Sequence, residues 1–190
     1  MMIPDILTKS ASTPAYQVSA DLHTTKDQWK KLSESYRTFV ETESTHLHIA
    51  LEMLGGDKVF SHLPENLLEV HHCVTHGIPS AAISHLAHAM EPLSAQALSD
   101  ALGVSLRTLH RKKGAVQDTL TVAQGGRTFK FAEVVAKATL VLGSREAAVQ
   151  WLTTPAIGLD QQKPIHLLAT PVGTQLVEDL LDRIEYGVYA

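Results

Sequence analysis

The stretch from Gly143 to Ala190 constrains the fold most, because start and stop signals for two helices follow one another within it. Ser144 and Thr170 are suited to be N-caps, since a hydroxyl there accepts a hydrogen bond from a backbone N–H of the first turn. Pro171 would begin the second helix, where a missing N–H costs nothing, and Gly187 would end it. Apolar residues at helical spacing predict its buried face: Leu176, Val177, Leu180, Leu181 and Ile184. Carboxylates predict an opposite, solvated face: Glu178, Asp179, Asp182 and Glu185.

A second signal lies in the middle of the chain, where a glycine separates two short helical patterns. Ser94 and Ser105 are suited to cap the two helices, and Gly103 lies where a tight turn needs a left-handed residue. We expect Leu106 and Leu109 to face inward. This spacing predicts a helix-turn-helix, whose second helix enters the major groove of DNA. The exposed side of that helix would carry the DNA-binding residues: Ser105, Arg107, Thr108, Arg111, Lys112 and Lys113.

The charge balance limits how such a chain binds nucleic acid. With 16 basic and 20 acidic residues the formal net charge is −4, so DNA binding must come from a local patch and not from the whole surface. The single cysteine, Cys73, excludes an internal disulfide and fits a reducing compartment. Because no apolar run reaches the ~20 residues of a transmembrane helix and no signal-peptide pattern begins the chain, we expect a cytoplasmic protein without a membrane segment.

The rest of the chain follows a helical period, apart from its beginning. Residues 1–24 are rich in Ser, Thr, Ala and Pro, and we expect a mobile arm there. Helices are predicted from Thr25 to Gly56, over Pro64–His76, over Ser80–Met90 and over 120–142. No segment shows the period-two alternation of a strand. The sequence therefore predicts an all-α fold with four parts: an arm (1–24), an N-terminal helical extension (25–66), a helix-turn-helix domain (67–119) and a C-terminal helical domain (120–190).

A histidine cluster is the pattern closest to a metal site. His72 and His76, four residues apart, would share a helical face as zinc-ligand pairs do, and other candidates lie nearby: His71, Cys73, His85 and His88. No carboxylate joins them in a ligand arrangement, so we favour a partly buried or solvated cluster over a zinc site. There is also no nucleophile elbow or phosphate-binding glycine loop. We therefore expect neither a metal, a cofactor nor an enzymatic activity.

The same residues carry a resemblance to a known family. The order W-L-x-x-P, K-P-I-x-L-L-x-T and G-x-x-x-V-x-x-L-L-x-R-I-x-Y-G-V-Y resembles the toxin-binding domain of Xre-type antitoxins, the Xre/MbcA/ParS family. The matching positions are Trp151, Leu152, Pro155, Leu159, Lys163, Pro164, Leu167, Leu168, Thr170, Gly173, Val177, Leu180, Leu181, Arg183, Ile184, Gly187 and Tyr189. The stretch S-L-R-T-L-x-R-K is similar to their recognition helix, and the resemblance covers about residues 67–190. At Gln161 and Gln162 the family more often has glycine, so we expect a turn of different shape there.

The resemblance implies a function. Antitoxins of this type resemble the partners of RES-domain toxins, which deplete NAD⁺. The chain would then neutralise such a toxin by occupying the entrance to its active site. It would also repress its own operon by binding operator DNA as a homodimer, within a larger toxin–antitoxin complex. The toxin-binding residues would be Trp151, Arg183, Tyr186, Val188, Tyr189 and Ala190.

Other hypotheses stay open from the sequence. A stand-alone helix-turn-helix regulator would use the C-terminal domain only to dimerise, although such a domain has little need of the aromatic end formed by Tyr189 and Ala190. A surface-charged αα-hairpin that never touches DNA would give the same short pattern as a helix-turn-helix. A metal-dependent enzyme built on the histidine cluster is a third, minor hypothesis.

Overall fold

The computed structural model describes residues 30–31, 34, 44–91, 93–109 and 118–187. The chain divides into two compact units, Met1–Val40 and Glu41–Ala190. In the first unit the described residues, Lys30, Lys31 and Glu34, are helical and exposed. The predicted arm over 1–24 and the predicted helix start at Thr25 lie outside the described residues.

The second unit is built of helices. Its elements are α1 (44–53), α2 (Leu67–His76), α3 (Ala81–Ala89), α4 (Ala95–Leu102), α5 (Leu106–Leu109), α6 (Val122–Leu142), α7 (Arg145–Thr153), α8 (Pro164–Leu167) and α9 (Pro171–Glu185), with single 3-10 turns at Gly56–Lys58 and Ile157–Leu159. Over the described ranges, extended pairing is limited to two isolated bridges, Pro79 with Thr119 and Ala156 with Gln162. The prediction of an all-α fold is confirmed. None of the helices in these ranges combines the length and the apolarity that crossing a bilayer requires.

Helix α6 lies at the centre of this unit. It begins with a capping box, in which the Gln124 N–H donates to Thr121 Oγ1 and the Thr121 N–H donates to Gln124 Oε1. It ends at Gly143, whose φ of 87° is left-handed. Its buried residues cover most of its circumference: Gly125, Thr128, Phe129, Phe131, Ala132, Val134, Val135, Ala136 and Ala138. The remaining stripe is half-buried and mostly charged: Gly126, Lys130, Glu133 and Lys137. A helix with so wide an apolar surface must be covered by others.

Four helices provide that cover: α2, α4, α7 and α9 all pack directly against α6. The fully buried alanines, Ala132, Ala136 and Ala138, leave room for their backbones to approach. A short antiparallel link fixes where α6 begins, because the Leu120 N–H donates to the Ile78 carbonyl at 2.8 Å and the Ser80 N–H donates to the Asp118 carbonyl at 2.8 Å. Helix α8 in turn packs against α4, α7 and α9.

The predicted helix starts at Ser94, Ser144 and Thr170 are confirmed. In each case the hydroxyl accepts a hydrogen bond of 3.1 Å from the backbone N–H three residues later. Each bond satisfies one of the N–H groups that the first turn of a helix leaves without a partner. The capping signals in the sequence therefore locate these three helices to within a residue.

The predicted faces of α9 are partly wrong. Val177 and Leu181 are fully buried, as expected, but Leu176 is 48% exposed. Glu178 and Asp182 do not form a solvated face, because they pair with lysines of α6: Lys130 Nζ lies 2.7 Å from Glu178 Oε1, and Lys137 Nζ donates to Asp182 Oδ1. Glu178 and Asp182 therefore flank the seam with α6, whereas Asp179 and Glu185 are exposed, as expected.

The backbones of α8 and α9 come into direct contact at Gly173. A Cβ built on it would overlap the Leu167 carbonyl oxygen and lie 2.8 Å from the carbonyl carbon. The first turn of α9 therefore rests directly on the end of α8, and only glycine fits there.

This contact predicts opposite effects for the same substitution at two helical glycines. Gly173→Ala should lower the free energy of unfolding by about 3 kcal/mol, because the backbone it meets cannot move aside. Gly126→Ala should raise it by about 1 kcal/mol, because Gly126 lies within α6 and its nearest neighbour would be Val74 Cγ1 at 3.8 Å. Urea unfolding of the three proteins measures both changes, and equal effects would contradict this account.

Candidate functional site

Helices α4 and α5 form a turn whose shape is fixed from within. Gly103 has φ 62° and ψ 36°, the left-handed conformation that the sequence predicts there. The hydroxyl of buried Ser99 donates a 2.6 Å hydrogen bond to the Val104 carbonyl, and the Val104 side chain is buried. This bond holds the chain in the direction in which α5 leaves the turn. The arrangement is a helix-turn-helix.

The described part of α5 presents one polar side to solvent. Ser105 accepts a 3.1 Å bond from the Thr108 N–H, which confirms it as the cap. Ser105 and Arg107 are exposed and Thr108 is half-buried, whereas Leu109 is buried. Three of the predicted DNA-binding residues therefore lie on α5 or at its cap and reach solvent. The other three, Arg111, Lys112 and Lys113, lie outside the described residues.

The expectation that Leu106 faces inward is wrong. This side chain is 40% exposed. Because Val104 and Leu109 already fill the space between α4 and α5, Leu106 stays at the rim of the turn.

Arg127 is a neighbour of the turn that the helix-turn-helix pattern does not include. It belongs to α6 and is exposed. Its guanidinium lies against Gly103, since a Cβ built there would overlap Nη1 and lie 3.3 Å from Cζ. The sequence alone does not predict the contact between Arg127 and Gly103, because the contact depends on how α6 packs against α4.

The outward side of α9 exposes large apolar and aromatic side chains. Val172 is 74% exposed and Tyr186 is 75% exposed, with Leu176 and Arg183 between them at helical spacing. We call these four residues the α9 face. The Arg183 Nε–H donates to the Asp179 carbonyl at 3.3 Å, which holds the guanidinium along the helix. Ile157, 85% exposed, lies on the turn beside Gly158, where an added Cβ would lie 2.7 Å from Leu180 of α9.

A cleft of about 330 Å³ lies between α6 and the start of α9. Arg127 and Lys130 line one side, and Thr170 and Pro171 line the other. Burial alone would lower the pKa of Lys130, but the hydrogen bond that its ammonium donates to Glu178 and the charge of Glu133 outweigh burial and raise that pKa. Lys130 therefore stays protonated, and the carboxylates of Glu133 and Glu178 balance its positive charge inside the cleft.

Comparison with known proteins identifies both halves of this arrangement. Residues 69–133 match the antitoxin Xre-like helix-turn-helix domain. Residues 137–187 match the antitoxin Xre/MbcA/ParS C-terminal toxin-binding domain. Together the two matches cover more than half of the chain. The chain belongs to the Xre/MbcA/ParS antitoxin family.

Two relatives are both named Antitoxin Xre. The one from Yersinia enterocolitica (serotype O:8 / biotype 1B) is 33% identical over 91 residues, which is 47% of this chain and 61% of the relative. The one from Pseudomonas putida is 34% identical over 84 residues, which is 44% of this chain and 52% of the relative. The chain thus spans between half and two thirds of the length of these curated relatives.

The resemblance to these antitoxins implies a set of toxin-binding residues, and the structure places some of them close together. Arg183 and Tyr186 both lie on the α9 face. Trp151 lies on α7 and packs half-buried against the core, so part of its ring stabilises the domain. The tail Val188–Ala190 lies outside the described residues. The sequence predicts burial for Leu176 and gives Val172 no role, since both side chains are apolar. Their exposure is visible only in the structure.

The histidine cluster has the geometry of a solvated group. His71, His72 and His76 are exposed on α2. The ring centroid of His72 lies 5.9 Å from that of His71 and 6.2 Å from that of His76. Burial raises the pKa of the Cys73 thiol, which disfavours the thiolate that a metal needs. Within the described ranges, no three His, Cys, Asp or Glu side chains are placed to hold a metal ion.

The turn at Gln161 has a left-handed backbone. Gln161 has φ 61° and Asp160 before it has φ 50°. A left-handed conformation costs an ordinary residue roughly 1–2 kcal/mol, whereas glycine adopts it freely. Gln161 thus takes a backbone conformation that is typical of glycine.

The buried bond from Ser99 allows a test of how the turn is held. Ser99→Ala should lower the free energy of unfolding by about 1–2 kcal/mol, because it leaves the Val104 carbonyl without its partner in a buried site. Ser80→Ala is the matched control, since the Ser80 hydroxyl makes no capping bond at the start of α3. Thermal unfolding of both variants measures the difference, and equal midpoints would refute the role assigned to Ser99.

Proposed function

We propose that this chain is the antitoxin of a type II toxin–antitoxin system, in which it neutralises a RES-domain toxin that depletes NAD⁺ and represses its own operon. The observation that carries the proposal is the α9 face, an exposed apolar and aromatic surface within the toxin-binding domain. The helix-turn-helix beside it supplies the means of binding DNA.

The composition of the α9 face supports a protein partner. Tyrosine and arginine are the residues most enriched among those that dominate binding energy, and apolar neighbours around them exclude water. Val172 and Leu176 form an exposed apolar strip one turn long, and Tyr186 lies further along the same side of α9, beyond Arg183. Exposed apolar patches of this kind mark interaction sites. The partner we infer is the cognate toxin.

The end of the chain extends this proposal. Gly187 has φ 66° and is exposed, so the chain leaves the axis of α9 there. We infer that Val188, Tyr189 and Ala190 enter the nucleotide-binding cleft of the toxin, where the Tyr189 ring would replace part of the substrate. Inhibition is then steric, and the antitoxin itself needs neither a cofactor nor a catalytic residue.

DNA binding by α5 completes the proposal. Arg107 on α5 is suited to read guanine by two hydrogen bonds, and Lys112 and Lys113 are suited to phosphates. One short helix binds DNA weakly, so we propose a homodimer on a two-fold operator, within a larger complex with the toxin in the cytoplasm. We propose domain boundaries near residues 67 and 120, and the helix-turn-helix match extends past the second of these into α6, to residue 133.

A stand-alone regulator is the second candidate, because the α9 face would also suit contact with another copy of the chain. The gene beside the one that encodes this chain separates the two candidates. A neighbouring reading frame for a RES-like domain, whose product co-purifies with this chain, supports the antitoxin. Absence of such a frame, together with a dimer that dissociates when Leu176 is changed, would favour the regulator.

The toxin interface can be tested in cells that make the toxin. Leu176→Asp should weaken neutralisation by at least tenfold in the antitoxin dose needed, because it places a charge in the apolar strip. Deleting Val188–Ala190 should free toxin activity while leaving DNA binding intact. Growth and cellular NAD⁺ report both effects.

The matched control for the first change is Leu140→Asp. Leu140 lies on α6, away from the α9 face in sequence, and is 41% exposed, similar to Leu176. It should protect cells as the unchanged antitoxin does. Full protection by both Leu176→Asp and the truncated chain would place neutralisation elsewhere, most simply on the surface between Trp151 and Leu168.

Sequence-specific DNA binding can be tested at Arg107. Arg107→Ala should cost about 1–3 kcal/mol in operator binding and relax specificity at one base pair. Arg145→Ala removes the same charge from an exposed position on α7 and should have little effect. Fluorescence anisotropy with a duplex from the DNA upstream of the gene measures both, and unchanged affinity after loss of Arg107 would contradict base reading.

A further inference from the structure

We propose that Arg127 binds a backbone phosphate of the DNA on which α5 lies, an inference that rests on the DNA-binding function proposed above. Neither the helix-turn-helix pattern nor the toxin-binding domain gives this residue a role. The structure does place it at the turn, and three observations there support a phosphate contact.

The first observation is that the charge of Arg127 is available. Helix α6 carries three basic residues, and Lys130 and Lys137 each pair with a carboxylate of α9. Arg127 is exposed and makes no hydrogen bond or ion pair with the described residues. The two lysines hold α6 against α9, whereas the arginine is left to meet an external anion.

The second observation is its position. The Arg127 guanidinium lies over Gly103, so closely that a Cβ there would overlap Nη1 and lie 3.6 Å from Cδ. Gly103 precedes the Ser105 cap by two residues, at the end of α5 that enters the major groove. DNA phosphates flank that end of a recognition helix, so a charge beside the turn faces the backbone of the duplex.

The third observation concerns the chemistry of the side chain. A guanidinium resting on a turn cannot extend along the base pairs as Arg107 on α5 can, so it does not read sequence. Its planar fork of N–H donors matches two oxygens of one phosphate, which a lysine ammonium does not. Contact with Gly103 also restricts the side chain before DNA binds. Arg127 would therefore fix how deeply and at what angle α5 enters the groove.

The test compares Arg127→Gln with the unchanged chain on two duplexes of equal length, one from the DNA upstream of the gene and one of shuffled sequence. We expect Arg127→Gln to weaken binding to both duplexes by a similar factor, on the order of tenfold at low salt. The slope of log affinity against log salt should fall by about one. Arg127→Lys should keep that slope and lose part of the affinity.

Three controls keep the outcome specific. Arg145→Gln removes an exposed arginine elsewhere and should leave affinity and salt slope unchanged, and Arg107→Ala should affect the upstream duplex more than the shuffled one. An unchanged thermal midpoint for Arg127→Lys shows that the fold at the turn is intact. Unaltered salt dependence in Arg127→Gln, with the wild-type chain binding DNA, would overturn the phosphate contact alone. Failure of the wild-type chain to bind either duplex would instead overturn the DNA-binding function.

Discussion

The burial of α6 over most of its circumference is the constraint on which the rest of the 41–190 unit depends. Over Phe129–Ala138 this helix has almost no solvated stripe, so it is stable only when other helices cover it. Helices α2 and α4 come from before it in the chain, and α7 and α9 from after it. The two groups therefore share one core, and the two functional surfaces are fixed relative to the same helix.

The sequence predicts the helices of this fold well because their boundaries are set locally. The hydroxyls of Ser94, Ser144 and Thr170 and the left-handed glycines act within one turn of chain, so their effects are visible in the order of residues. The choice between helix and strand likewise follows from the apolar period. The helix-turn-helix could be predicted for the same reason, since Ser94, Gly103 and Ser105 act across a few residues.

The rotation of a helix and its distant contacts could not be predicted in this way. The period in α9 admits a face centred on Leu176 or on Val177. The observed rotation buries Val177 and pairs the carboxylates of α9 with Lys130 and Lys137 of α6, which are far away in sequence. The guanidinium of Arg127 meets Gly103 for a similar reason. Local pattern fixes which residues are helical, while side-chain partners on other helices fix which of them face outward.

The sharing of α6 by the two family domains also has a consequence for how proteases degrade the chain. The match to the helix-turn-helix domain ends at residue 133 and the match to the toxin-binding domain begins at residue 137, both inside α6. Neither half can lose its order without uncovering the apolar side of that helix that the other half needs. A protease that cuts after local opening in one half would thus destroy the order of both domains together, leaving no folded fragment of either behind.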